Sequence, residues 1–180
     1  MSKSELTVKI EEKLFERLGR KEFGCKEVTI GWYGREVVDF ITYSIDKDRE
    51  IRCFEIKVSK KDFYSKNNLT FIGHRNYFVM PLELYDEVRI ELIKNFKNIG
   101  VYVLDGNDLV VAKNAVRIEL RADKEIILSS IARSMQREWF KSLNTIDVLN
   151  QKLSDSEDKN KYLKEEFEKM EFKINENQYI

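Results

Sequence analysis

Three side chains in this sequence have types and spacing that could do chemistry together: Asp39, Glu55 and Lys57. Glu55 and Lys57 sit in Arg52-Cys53-Phe54-Glu55-Ile56-Lys57-Val58. Its alternation predicts a β-strand with Phe54, Ile56 and Val58 on one face and Cys53, Glu55 and Lys57 on the other. A carboxylate and an ammonium on an apolar strand are costly to bury unless they are paired or bind something. Asp39 is the one Asp in the largely apolar run Glu36–Tyr43, on the face it shares with Val37 and Ile41. Two such carboxylates and the Ile56 carbonyl offer hard oxygen ligands for Mg²⁺ or Mn²⁺, with water in the remaining positions. A cation held there acidifies a bound water and offsets phosphate charge, while Lys57 can orient the attack and stabilise the developing anion. That is the chemistry of phosphodiester hydrolysis. The plain alternative is a hairpin with a solvated polar face.

Context matters more than the Glu-x-Lys tripeptide, which occurs at four places here. Three of them fall in segments with helical character, where side chains two apart diverge. Only Glu55 and Lys57 lie in an apolar strand, where positions two apart share a face.

The elements that must position these groups are legible as patterns. Leu6, Ile10, Leu14 and Leu18 recur every four residues, which predicts a helix over 4–18. Within it, Glu11 falls inside the arc of Ile10, Leu14, Phe15 and Leu18. A carboxylate on that face needs a partner, and a metal-bound water or Lys57 would serve. A helix-edge position explains it equally well. Strands are predicted at 27–33, 36–45 and 50–58, the last two joined as a hairpin by the polar turn Asp46-Lys47-Asp48-Arg49. Further strands are predicted at 76–80, 100–104 and 109–111, with a helix at 85–96. Alternating strands and helices predict an α/β fold, a mixed central β-sheet flanked by helices.

From about Asp123 onward the pattern is helical, giving a long C-terminal helix. From Ile146 through Leu149, Leu153, Ser156, Asn160, Leu163, Phe167, Met170 and Ile174 the steps alternate between three and four, a heptad seam with two polar positions. The expected organisation is a domain over 1–143 and a helical heptad segment over 144–180. The segment either packs on its own domain or forms a coiled coil that makes a homo-oligomer.

The stretch after Lys57 is basic. Ser59, Lys60, Lys61, Lys66, His74 and Arg75, with Asn67 and Asn68, are candidate phosphate and hydrogen-bond contacts for a nucleic acid, with Phe63, Tyr64 and Phe71 interleaved. Arg133, Arg137 and Lys141 form a second stripe that could extend this track. A solvated loop and an exposed helix face explain both runs without a ligand. His74, the only histidine, is a candidate general base or phosphate contact. It has no second ligand at zinc spacing. No phosphate-binding glycine loop or Gly-x-Ser-x-Gly is present, which removes support for nucleotide-hydrolase and serine-hydrolase readings.

The 180 residues carry zero formal net charge, so a polyanion must be met by a local basic patch. Two cysteines, Cys25 and Cys53, make no disulfide framework and fit a reducing compartment; Cys53 reads as core filler. No apolar run is long enough for a membrane span, and Met1–Glu5 lacks the apolar stretch of a signal peptide. A cytoplasmic location, with no membrane partner, is the expectation.

The order helix, Asp39 strand, Glu55-Ile56-Lys57 strand, helix resembles the PD-(D/E)XK nuclease superfamily. Glu55-Ile56-Lys57-Val58-Ser59-Lys60-Lys61-Asp62-Phe63 is similar to a string in its MmcB-like branch, and 76–81 and 100–103 resemble later elements. The likeness covers roughly residues 5–140. It implies a restriction-endonuclease-like core around a four-stranded mixed sheet, with Asp39 and Glu55 holding the metal, Lys57 as catalytic lysine and Glu11 as helix-borne acid. Val38 stands where the motif has proline. The implied activity is Mg²⁺-dependent hydrolysis of nucleic acid, DNA ahead of RNA, in repair or in phage or mobile-element processes. The superfamily includes members that do not cut, so a nucleic-acid-binding module without cleavage is the alternative, and an oligomerising interaction protein a third.

Overall fold

The computed structural model describes residues 4–32, 34, 36–46, 49–65 and 69–177, with side chains through residue 166. The chain divides into a unit ending at Met135 and a second from Gln136 onward.

The first unit is built on a six-stranded sheet. It comprises β1 (Glu22–Thr29), β2 (Val37–Ser44), β3 (Ile51–Ile56), β4 (Arg75–Pro81), β5 (Gly100–Asp105) and β6 (Asp108–Lys113), lying side by side in chain order. The β3, β4 and β5 strands are parallel neighbours; the other pairings are antiparallel. The α/β class and mixed sheet are therefore as expected, with six strands rather than the four of the implied core.

Helix α1 (Glu5–Glu16) begins at Ser4, whose hydroxyl accepts the Thr7 amide hydrogen. Its Ile10 and Leu14 pack on the face of the sheet formed by Phe40, Phe54, Ile56, Tyr77, Val79 and Tyr102. The opposite face is covered in two parts. Leu84, Val88 and Leu92 of α3 (Leu82–Asn95) pack on Phe78, Met80, Val101 and Val103. Ile127 and Ile131, from the start of α4 (Lys124–Asn177), pack on Cys25, Ile41, Ile51 and Cys53. Full burial of side chains this size is worth about 1.5–3 kcal/mol each.

The sequence placed most element centres and missed two edges. Strand β1 runs from Glu22 to Thr29 rather than over 27–33, because the chain turns at Gly31, whose φ is +72°. The basic stretch after Lys57 contains a one-turn helix α2 (Lys60–Phe63), started by Ser59.

The second unit is helix alone. Residues 136–166 of α4 keep Trp139, Phe140, Ile146, Leu149, Leu153 and Leu163 exposed. No helix among the described residues is long and apolar enough to cross a membrane.

Candidate functional site

Where β3 ends, five elements meet at a cavity of about 190 Å³ lined by Glu11 of α1, Glu27 of β1, Asp39 of β2, Ile56 and Lys57 at the end of β3, and Asp62 of α2. Glu11, Asp39 and Lys57, picked from sequence for separate reasons, are thus brought to one place. Glu11 and Lys57 are each only 4% exposed. Charged groups that deep must be compensated. Lys26 Nζ lies 3.4 Å from Glu11 Oε2, and Lys57 Nζ lies 3.7 Å from Asp62 Oδ1. Asp62 also accepts the Val58 amide hydrogen at 3.2 Å, which fixes the turn out of β3.

Asp39 reaches across to β3, where its Oδ2 accepts the Ile56 amide hydrogen at 2.8 Å. Local backbone geometry explains how. In a regular strand, side chains alternate between faces. Yet Cys25 and Val28, three apart, join one cluster, and so do their partners Ile41 and Val38. The alternation slips between them, at Glu27 and Asp39. Glu27 has φ +51°, a left-handed conformation unusual for a residue with a side chain. A local irregularity of this kind re-aims side chains. Here it lets Phe40 face α1 while Val38 and Ile41 face α4.

Glu55 faces away from the cavity that Asp39 enters. The β3–β4 register sets it beside Phe78, which belongs to the α3 cluster, whereas Phe54 and Ile56 face α1. Its Oε1 accepts the Thr70 amide hydrogen at 3.1 Å, and it does not line the cavity. The two carboxylates still feel one another. Burial, and then the charge of Asp39, push the Glu55 carboxyl up to about 8, against the Thr70 hydrogen bond and Lys57, which favour its ionised form.

The basic contacts expected for nucleic acid scatter. Lys60 faces Glu87 at 3.3 Å, Lys61 is exposed, and Ser59 accepts the Asp62 amide hydrogen as the cap of α2. Lys66, Asn67 and Asn68 lie outside the described residues. His74 and Arg75 are at the other end of β3. His74 Nδ1 accepts the Ile51 amide hydrogen at 2.9 Å, and burial followed by Arg117 lowers its pKa, favouring the neutral ring that this bond requires. Arg75 bridges Glu50 and the Ala115 carbonyl, with Arg52 on the second Glu50 oxygen. Along a strand rising about 3.3 Å per residue, Ile51 and Lys57 are roughly 20 Å apart. His74 and Arg75 therefore do not join the cavity. Arg133 does not extend a phosphate track: its guanidinium donates to the Thr29 and Gly31 carbonyls and lies over Trp32. Arg137 and Lys141 both pair with Glu138.

Sequence reading missed Glu27 and Asp62. The Ser59-Lys60-Lys61-Asp62 spacing is a helix-start signal that could have found Asp62. Nothing in the pattern announced the backbone turn at Glu27.

The donors fit a hard divalent cation by chemistry. Four carboxylate residues line the cavity, and among the described residues no Cys or His does. Among the described residues, no three His, Cys, Asp or Glu side chains are already disposed to hold an ion. Glu11, Asp39 and Asp62 are instead turned toward the lysines and amides just named.

No family model matches the chain, and no curated protein matches it. A solved structure of a protein of unknown function from Silicibacter pomeroyi is similar, with a TM-score of 0.52 over 74% of this chain and 86% of that one. The fold is shared. At 17% identity the likeness extends to the fold alone.

Proposed function

We propose that this chain is a divalent-metal-dependent nuclease of the PD-(D/E)XK kind, with a restriction-endonuclease-like core, hydrolysing phosphodiester bonds in DNA ahead of RNA. The observation that carries the reading is the meeting of Glu11, Asp39 and Lys57 at one cavity, from elements far apart in sequence.

In this reading Asp39, the Ile56 carbonyl and Glu11 would hold Mg²⁺ or Mn²⁺, with Glu55 next to Ile56 on β3 but facing away from the cavity. The bound metal supplies Lewis acidity and an acidified water. Lys57 is held in a site that excludes most water, where its charge acts strongly on a developing phosphorane anion. Asp62 keeps the Lys57 ammonium aimed into the cavity.

The test is incubation with single- and double-stranded DNA and RNA, in Mg²⁺ or Mn²⁺ and in chelator. Cleavage that needs the cation and disappears in Lys57→Ala supports the proposal. Salt-sensitive binding without cleavage points instead to a binding module on a nuclease fold.

A further inference from the structure

We infer that α4 from Ile146 onward is an antiparallel coiled-coil interface with a second copy of this chain. Ile146, Leu149, Leu153 and Leu163 lie on one seam and are 44–59% exposed. A line of large apolar side chains left in water marks an interaction surface. Taking Ile146 as heptad position a, Leu153 and Asn160 are also a, while Leu149, Ser156 and Leu163 are d. The charges beside the seam are Glu157 and Lys164 at e, and Lys152, Lys159 and Glu166 at g.

These charges choose the partner's direction. In a parallel, in-register pair each g meets the e′ five residues on. Lys152 then meets Glu157′, but Lys159 meets Lys164′. In an antiparallel pair g meets g′ and e meets e′. The register that sets Asn160 against Leu163′ joins Glu157 to Lys164′ and Lys159 to Glu166′, each twice by symmetry. The sequence beyond 166 adds one like-charge contact to either arrangement, leaving the antiparallel one ahead. In this register the two Asn160 residues flank the twofold axis, about 4.5 Å apart along the coil, near enough for their amides to pair. An interface that is self-complementary in both its apolar and its charged parts fits a second copy better than an unrelated helix.

The test uses the full chain with one nitroxide at Asp147→Cys; the native Cys25 and Cys53 are buried and escape labelling. Sedimentation should give twice the 21.5 kDa chain mass. Label separation should be roughly 44 Å, against under about 20 Å for a parallel pair. Lys159→Glu should weaken the dimer about tenfold, and adding Glu166→Lys should restore it. A parallel dimer would be tightened by Lys159→Glu. A monomer at the highest soluble concentration, a short label separation, or tightening by Lys159→Glu overturns the inference.

Discussion

The Asp39 carboxylate accepts the Ile56 amide hydrogen at 2.8 Å, which ties the middle of β2 to the end of β3. One side chain therefore both closes the sheet at this point and carries a charge into the cavity. Asp39→Asn keeps the shape and removes the charge. It should reduce Mn²⁺ affinity and DNA cleavage roughly 100-fold, with a loss of about 1 kcal/mol in stability from the weakened hydrogen bond. Calorimetric titration with Mn²⁺, a cleavage assay and urea unfolding check the three arms; unchanged Mn²⁺ affinity would remove Asp39 from the site.

Glu55 should make stability depend on pH. Its folded pKa of about 8 lies above the ordinary 4.5, so the folded state prefers the protonated carboxyl. The contribution is fully present below about pH 4.5 and is lost as pH rises through 8, at up to about 1.4 kcal/mol per pH unit. Glu55→Gln should flatten that slope, with its largest relative gain in unfolding free energy at pH 8 and above. Denaturant titrations from pH 5 to 9 measure it. A parallel slope in wild type and variant would show that Glu55 titrates normally.

Backbone strain at Glu27 predicts a substitution that helps folding. Glycine adopts φ +51° without penalty, so Glu27→Gly should raise stability by roughly 1 kcal/mol, whereas Glu27→Ala should not. Thermal unfolding of the two variants separates them. If Glu27→Gly melts below wild type, the carboxylate contributes more to the fold than the strain costs.

His74 and Arg75 should behave as structural residues. His74→Ala leaves the Ile51 amide hydrogen unpaired, at a cost of about 1–3 kcal/mol. Because the folded pKa of His74 is depressed, the stability it confers is present above its unfolded value and lost as pH falls below it. Arg75→Ala should lower the melting temperature and leave the salt dependence of any DNA binding unchanged, since its guanidinium is engaged by Glu50. A smaller salt slope in Arg75→Ala would return Arg75 to the nucleic-acid interface.

The parts of this fold that were legible in the sequence are those where one side chain reports one local rule. Alternation gave β2, β3 and β4, and the arc of Ile10 and Leu14 placed Glu11 facing inward, where it is buried. Regular alternation also misled. It put Asp39 on one face with Val37 and Ile41, whereas the slip opposite Glu27 redirects β2 at Asp39. No pattern of residue types encodes a single left-handed φ at a glutamate. The basic run was legible as charge but not as placement, because tertiary partners such as Glu50, Glu87 and backbone carbonyls decide where each cation is spent.

Cys53 lies at the centre of the sheet, fully enclosed, with burial pushing its thiol up to about 12. Almost none of it is thiolate at neutral pH, so alkylating reagents and peroxide have nothing to attack while the sheet is closed. The rate at which Cys53 is modified therefore clocks how often the sheet opens, a reporter already present in the unaltered chain.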